Sequence, residues 1–200
     1  MVITPNSRVE AFVEIMTYPF LMNNDEMSTS DLSDSVAQIA EDFAALGVMP
    51  APGQTLADIG SDSGLVGFAL IRHVADASCI VVGSAADLDD ARELAAQIGV
   101  QDRVTFRDRD VAALDFEADS IDVALLGESI HSLDDEQSSD LLANIRRAIR
   151  PRGVLYVAGV SSMDDGDVTL RSRLADSGFD DLAAVESGGY VLRRFALSAA

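Results

Sequence analysis

From Thr55 onward the chain alternates short apolar runs with segments whose apolar residues recur every three to four positions. The runs "TLADI" (55–59), "CIVVG" (79–83), "RVTF" (103–106), "IDVALLG" (121–127) and "GVLYVAGV" (153–160) have the near-continuous hydrophobicity of strands covered on both faces. The intervening periodicity predicts helices from Gly64 to about His73, over 86–99, over 135–150 and over 167–178. An irregular acidic stretch runs to Asp119, and "FDDLAAVE" and "YVLRRFAL", joined by "SGG", predict a closing hairpin. Strand–helix alternation of this kind predicts an α/β fold: a seven-stranded, mostly parallel sheet with helices on both faces and a C-terminal antiparallel hairpin.

The first fifty residues have a different rhythm. "NSRVEAFVEIM" opens with the capping-box pair Ser7 and Glu10, and Val9, Phe12, Val13 and Met16 form one helical stripe. A Pro19-containing loop follows, and then an amphipathic segment (30–47) with Leu32, Val36, Ile39, Phe43 and Leu46 on one side and Gly47 as its stop. The expected organisation is an N-terminal helical extension over 1–50 and a main domain over 51–200. Tyr18, Phe20 and Met22 serve equally well as a lid over a ligand or as a packed helix–helix connection.

Charge changes the picture next. Thirty-four acids against fourteen bases give a net charge of −20, and every base is arginine. An acidic surface repels nucleic acid and anionic membranes. It also suits a salty cytoplasm, where a Debye length of ~3 Å at molar salt would stop net charge from choosing partners. The halophilic reading is the one favoured here, so the charge weighs only weakly against RNA. No apolar run approaches the roughly 20 residues of a membrane span, and the N-terminus lacks a signal-peptide pattern, so a cytoplasmic protein is expected. The lone Cys79 excludes an internal disulfide framework and a cysteine-based zinc site, and no metal is expected.

The chemistry should sit where the strands end. In open α/β sheets the ligand lies at the carboxyl ends, and here those ends carry Asp58–Gly64, Gly83–Asp87, Arg107–Asp110 and Gly127–His131. Gly60 and Gly64 let the backbone pass close to a ligand, and the helix beginning near Gly64 offers free N–H groups. A Gly-x-Gly-x-x-Gly dinucleotide fingerprint, a Gly-Lys-Ser/Thr phosphate loop and a Gly-x-Ser-x-Gly nucleophile elbow are all missing.

Taken in order, these segments resemble the class I S-adenosylmethionine-dependent methyltransferases over 55–197. "LADIGSDSG" (56–64) is similar to that family's Asp/Glu-x-Gly-x-Gly-x-Gly motif. "VTFRDRDVAAL" (104–114) resembles the third-strand segment, and "FEADSIDVALLGESIHSL" (116–133) the fourth-strand motif. "RRAIRPRGVLYV" (146–157) resembles the Leu-x-Pro-Gly-Gly entry to the fifth strand. The resemblance implies S-adenosyl-L-methionine as cofactor, held by Asp58, Gly60, Asp62, Gly64, Asp87, Asp110, Val111 and Gly127, with Asp110 meeting the adenine amino group. Two departures mark a variant, partly degenerate site. Asp62 stands where the middle glycine belongs, an arrangement also seen in some bacterial tRNA adenine-N1 methyltransferases. The acid that ends the second strand and takes the ribose hydroxyls is replaced by Ser84 or Ala85, which leaves Asp87 as the nearest carboxylate.

Methyl transfer asks for in-line positioning, with a base only when the nucleophile arrives protonated. Glu128 and His131, just past the fourth strand, are the catalytic candidates. The expected activity is methyl transfer to a small-molecule acceptor. Two alternatives stand beside it: an inactive methyltransferase-fold partner or regulatory subunit, and an RNA methyltransferase of a salt-adapted cell. A homodimer or a partner protein fits either of the first two readings.

Overall fold

The computed structural model describes residues 49–61, 63–160, 165–187 and 190–198, together with Ala37. The N-terminal helices, and the segment of Tyr18, Phe20 and Met22 read as either a lid or a packed connection, lie outside the described residues, as does Asp62.

Seven strands form one sheet: β1 (Thr55–Ile59), β2 (Ser78–Gly83), β3 (Val104–Asp108), β4 (Ile121–Leu126), β5 (Ile149–Val160), β6 (Phe179–Ser187) and β7 (Tyr190–Leu197). Their order is β3-β2-β1-β4-β5-β7-β6. The first five run parallel, and β7 pairs antiparallel with both β5 and β6. The helices that connect them are α1 (Leu65–Arg72), α2 (Ala85–Ile98), α3 (Asp135–Ala148) and α4 (Asp165–Asp176). The predicted fold class is therefore the observed one.

The apolar runs are strands because both of their faces are covered. Along β1, Leu56 belongs to one core, with Phe68 and Leu70 of α1 and Leu88 of α2. Ala57 and Ile59 belong to the other, with Leu141, Leu142 and Ile145 of α3 and Leu174 of α4. Successive side chains of a strand point to opposite faces, so a strand inside a three-layer sandwich has no polar face to show.

Local signals set the helix ends. Ser84 and Asp87 form a reciprocal capping box at the start of α2, and Gly99 ends it in the left-handed conformation with φ 80°. Asp134 and Gln137 form the equivalent box on α3, which carries Asp135 and Glu136 in its first turn and Arg146 and Arg147 in its last, complementing the helix dipole. The carbonyls left over beyond α1 are taken by Arg103, whose guanidinium donates to the backbone oxygens of Ile71 (2.7 Å), Val74 (2.9 Å) and Ala77 (3.2 Å).

One boundary differs from the sequence expectation. The helical periodicity runs to Arg150, but α3 stops at Ala148 and β5 already begins at Ile149. Pro151 disfavours helical geometry at Arg150 before it, and the chain turns extended. The pairing then jumps from Ile121–Ile149 to Val123–Val154, leaving a bulge that contains Arg150 to Gly153. Asp122 holds this bulge: its carboxylate accepts from Arg150 Nη1 at 2.5 Å and from the Thr55 amide at 2.8 Å. Arg152 sits in the bulge with φ 73°, at the place of the first glycine in Leu-x-Pro-Gly-Gly.

A left-handed conformation costs a side-chain-bearing residue about 1–2 kcal/mol, part of which glycine returns as lost chain entropy. Arg152 is exposed, so Arg152→Gly is expected to stabilise the protein by roughly 0.5–1 kcal/mol. A rise in the urea midpoint at unchanged slope would show it.

Candidate functional site

The strand order reverses between β1 and β4. One half of the chain winds outward through β2 and β3, the other through β5, and the crevice between the halves opens at the carboxyl ends of β1 and β4. Glycine follows both strands there. A Cβ on Gly127 would lie 2.6 Å from the Gly60 carbonyl oxygen and 3.2 Å from the Ser61 amide nitrogen. A Cβ on Gly60 would lie 1.8 Å from Ser129 Oγ, with Val111 Cγ2 at 3.5 Å. The two loops can approach this closely only because neither glycine has a side chain, and Gly60 also has φ 68°. Backbone bonds pin the junction, from the Gly60 amide to Val82 O (3.1 Å) and from the Gly127 amide to Ile59 O (3.0 Å).

Beneath it lies Asp58, only 1% exposed. Its carboxylate accepts from Ser61 Oγ and, at 3.2 Å, from the Gly67 amide within α1. The loop and the helix are thereby tied to the strand that precedes both. Gly67 is the residue that permits it: a Cβ there would meet Cys79 Sγ at 2.8 Å and Asp58 Oδ2 at 2.9 Å. Burial raises the Asp58 carboxyl from 3.8 to about 6, against the lowering effect of its two hydrogen bonds. Burial also pushes the neighbouring Cys79 thiol well above its usual range, with the Asp58 charge adding to the effect. Cys79 is accordingly a packed thiol and not a nucleophile.

The remaining sequence-derived residues divide by position. Val111 lies against Gly60, so the structure brings Gly60, Val111 and Gly127 together. Asp110 is exposed beside them and accepts from the Ala112 amide at 3.0 Å, capping the short 3-10 turn Val111–Ala113. Gly64 faces the core instead: it caps α1 with φ 69°, and a Cβ would meet the Phe68 ring at 2.8 Å. Asp87 is occupied in its capping box, accepting from Ser84 Oγ at 2.6 Å and from the Ser84 amide at 3.2 Å. Glu128 and His131 belong to the five-residue 3-10 turn Glu128–Ser132 that follows Gly127, and their side chains lie outside what the structure describes.

Three residues enter the site that the sequence reading did not single out: Ser61, Gly67 and Ser129. Gly67 had a signal, because a glycine inside a helical pattern costs up to about 1 kcal/mol and points to a close approach. Ser61 and Ser129 had none, since a serine after a strand reads as ordinary loop. Ser129 Oγ is buried with no hydrogen-bond partner among the described residues.

Residues 56–153 match the family model described as a methyltransferase domain. The carboxy-S-adenosyl-L-methionine synthase of Stutzerimonas stutzeri is 28% identical over 174 residues, covering 82% of this chain and 67% of that protein. Among solved structures, the [4+2]-cyclase SpnF superposes with a TM-score of 0.69 at 15% identity, over 100% of this chain and 99% of its own. An O-methyltransferase family 2 protein from Planctomyces limnophilus, solved in complex with apigenin, gives 0.66 at 23% identity, over 92% of this chain and 64% of that one. At these identities the two structures bear on fold alone. Residues 56–153 thus match a methyltransferase domain, on a fold shared with a SAM-dependent methyltransferase from Aquifex aeolicus, and the match implies S-adenosylmethionine as cofactor. The junction suits that group: two loops meet through their glycines at the crevice, Val111 adds an apolar surface, and a buried hydroxyl there has no partner among the described residues.

The Asp58 carboxyl is raised on folding, so its contribution to stability is fully present below about 3.8 and is lost as pH rises through about 6. Replacing it by asparagine removes that dependence. Asp58→Asn is expected to gain roughly 1–1.5 kcal/mol relative to the unaltered protein between pH 5 and pH 8. Paired urea unfolding curves at the two pH values measure the difference, and a parallel response of both proteins would contradict it.

Proposed function

We propose that the domain transfers a methyl group from S-adenosylmethionine to a small-molecule acceptor. The observation that carries this reading is the meeting of Gly60 and Gly127 at the point where strand order reverses, within the matched segment. The same fold carries an O-methyltransferase solved with apigenin and a mitomycin 7-O-methyltransferase, so it accommodates acceptors of this size.

When bound, the cofactor supplies a methyl group already activated on a sulfonium, so the protein's work is mainly to bind, orient and exclude water. In this reading the Gly60 and Gly127 backbones receive the cofactor, and Val111 gives it apolar contact. Asp110 uses its exposed carboxylate to accept from the adenine amino group. Asp87, fixed at the start of α2, is the carboxylate nearest the end of β2 and takes the ribose side. The turn Glu128–Ser132 places Glu128 and His131 directly after β4, where either can accept the proton of an acceptor that arrives protonated.

Calorimetric titration with S-adenosylmethionine and S-adenosylhomocysteine, at low and at molar KCl, tests the cofactor assignment. Micromolar binding is expected, weakened roughly tenfold by Asp110→Ala. No binding at millimolar concentration by demonstrably folded protein would overturn it. With an acceptor identified from a small-molecule panel, His131→Ala is expected to lower kcat by about 10²-fold or more while leaving S-adenosylhomocysteine affinity unchanged.

A further inference from the structure

At the edge of the sheet opposite the crevice, α3 ends beside the turn that leads from α4 into β6. An open cleft of about 570 Å³ lies there, lined by Ala143, Arg146 and Arg147 of α3 and by Asp176 and Ser177. That volume falls in the range of small-molecule sites. α3 has 14 residues, so a rise of ~1.5 Å per residue puts the cleft roughly 20 Å from the turn after β4. The cleft is therefore separate from the crevice described above.

Two opposite charges share this cleft without meeting. Acids outnumber bases thirty-four to fourteen, and Arg92, Arg147, Arg150, Arg173 and Arg193 each hold a carboxylate. Arg146 holds none among the described residues and makes no hydrogen bond to them. Asp176 is unpaired in the same sense, although both side chains line one cleft and both are exposed to a ligand. Arg146 is nonetheless held in place. A Cβ on Gly178 would stand 2.7 Å from Arg146 Cζ, 2.8 Å from Nη1 and 3.0 Å from Nε, so the guanidinium rests against the α4–β6 turn. Asp176 ends α4 and adds its charge to the negative end of that helix dipole. The α3 side of the cleft thus offers N–H donors to an anion, the α4 side offers a carboxylate to a cation, and the Ser177 hydroxyl can donate or accept.

We propose that this cleft is a second binding site, for a small zwitterion of the α-amino-acid class, with its carboxylate on Arg146 and its ammonium on Asp176. A guanidinium takes a carboxylate through two parallel N–H bonds, and a carboxylate accepts readily from an ammonium. A ligand with one charge alone leaves one of the two residues unmatched. Because Gly178 already fixes the guanidinium, little side-chain freedom is lost on binding. Both contacts stay close to water, which sets the expected affinity at roughly millimolar.

The test is an NMR titration of ¹⁵N-labelled protein with the common L-amino acids, up to tens of millimolar, read at the Ser177 and Gly178 amides and at Arg146 Nε–H. At least one amino acid is expected to shift these signals saturably while the Gly60 and Gly127 amides stay still. Its amide, which keeps only the ammonium, and its N-acetyl form, which keeps only the carboxylate, are each expected to bind roughly tenfold more weakly or worse. Arg146→Gln and Asp176→Asn are each expected to weaken the same amino acid by about tenfold and to melt within a few degrees of the unaltered protein. No saturable shift from any amino acid, equal shifts from the singly charged forms, or unchanged binding by both variants would overturn the assignment. So would shifts centred on Gly60 and Gly127, which would move the amino acid to the crevice, or a large fall in the melting temperature of Arg146→Gln, which would make the guanidinium a support of the fold.

Discussion

A single buried carboxylate organises the end of the sheet on which everything else depends. Asp58 ends the polar history of β1 inside the core, where a charge is costly and its two hydrogen bonds return only part of that cost. In exchange, one side chain fixes three pieces of backbone: its own strand, the loop through Ser61, and the first turn of α1 through Gly67. The helix can lie this close only because positions 67 and 79 are small, glycine and cysteine. Enlarging either would push α1 off the sheet and release the loop that carries Gly60.

With that loop held, the geometry of the crevice follows from β4. Gly127 sits directly against the Gly60 carbonyl, and the turn after it brings Ser129 over Gly60. Among the described residues, the polar groups at this junction are backbone atoms and the hydroxyls of Ser61 and Ser129. The carboxylates lie farther out along the β2 and β3 ends, and each already serves local structure: Asp87 caps α2 and Asp110 caps a turn. Such double duty is common for an acid next to a helix start, since a carboxylate has acceptor sites to spare after one bond to the backbone. The missing acid at the end of β2 has a local explanation in the same capping box, because Ser84 follows β2 immediately and α2 begins at the next residue. No room is left for the longer turn that would place a carboxylate there.

Much of this was legible in the residues. The continuous apolar runs of β1, β2 and β4 announce strands covered on both faces, because only there does a strand show no polar side. Gly60 and Gly127 announced themselves by standing just after those runs. The end of α3 was misjudged by two residues, since helical periodicity in "IRRAIR" continues past the point where Pro151 makes helical backbone unfavourable. Ser61 and Ser129 could not be read at all. Their importance lies in which atoms face them, and serine is at home in any loop.

By itself, then, the sequence determined the order of the elements and the parallel sheet with its closing hairpin, and it pointed to the carboxyl ends of the strands as the candidate site. Those properties follow from periodicity, capping and glycine placement, which act over a few neighbouring residues. Only the tertiary structure decided that Asp58 is a buried tie, that Gly64 faces the core while Gly60 faces the β4 turn, and that the Ser129 hydroxyl has no partner among the described residues. Each of these depends on atoms brought together from segments up to seventy residues apart, by packing that no local pattern encodes.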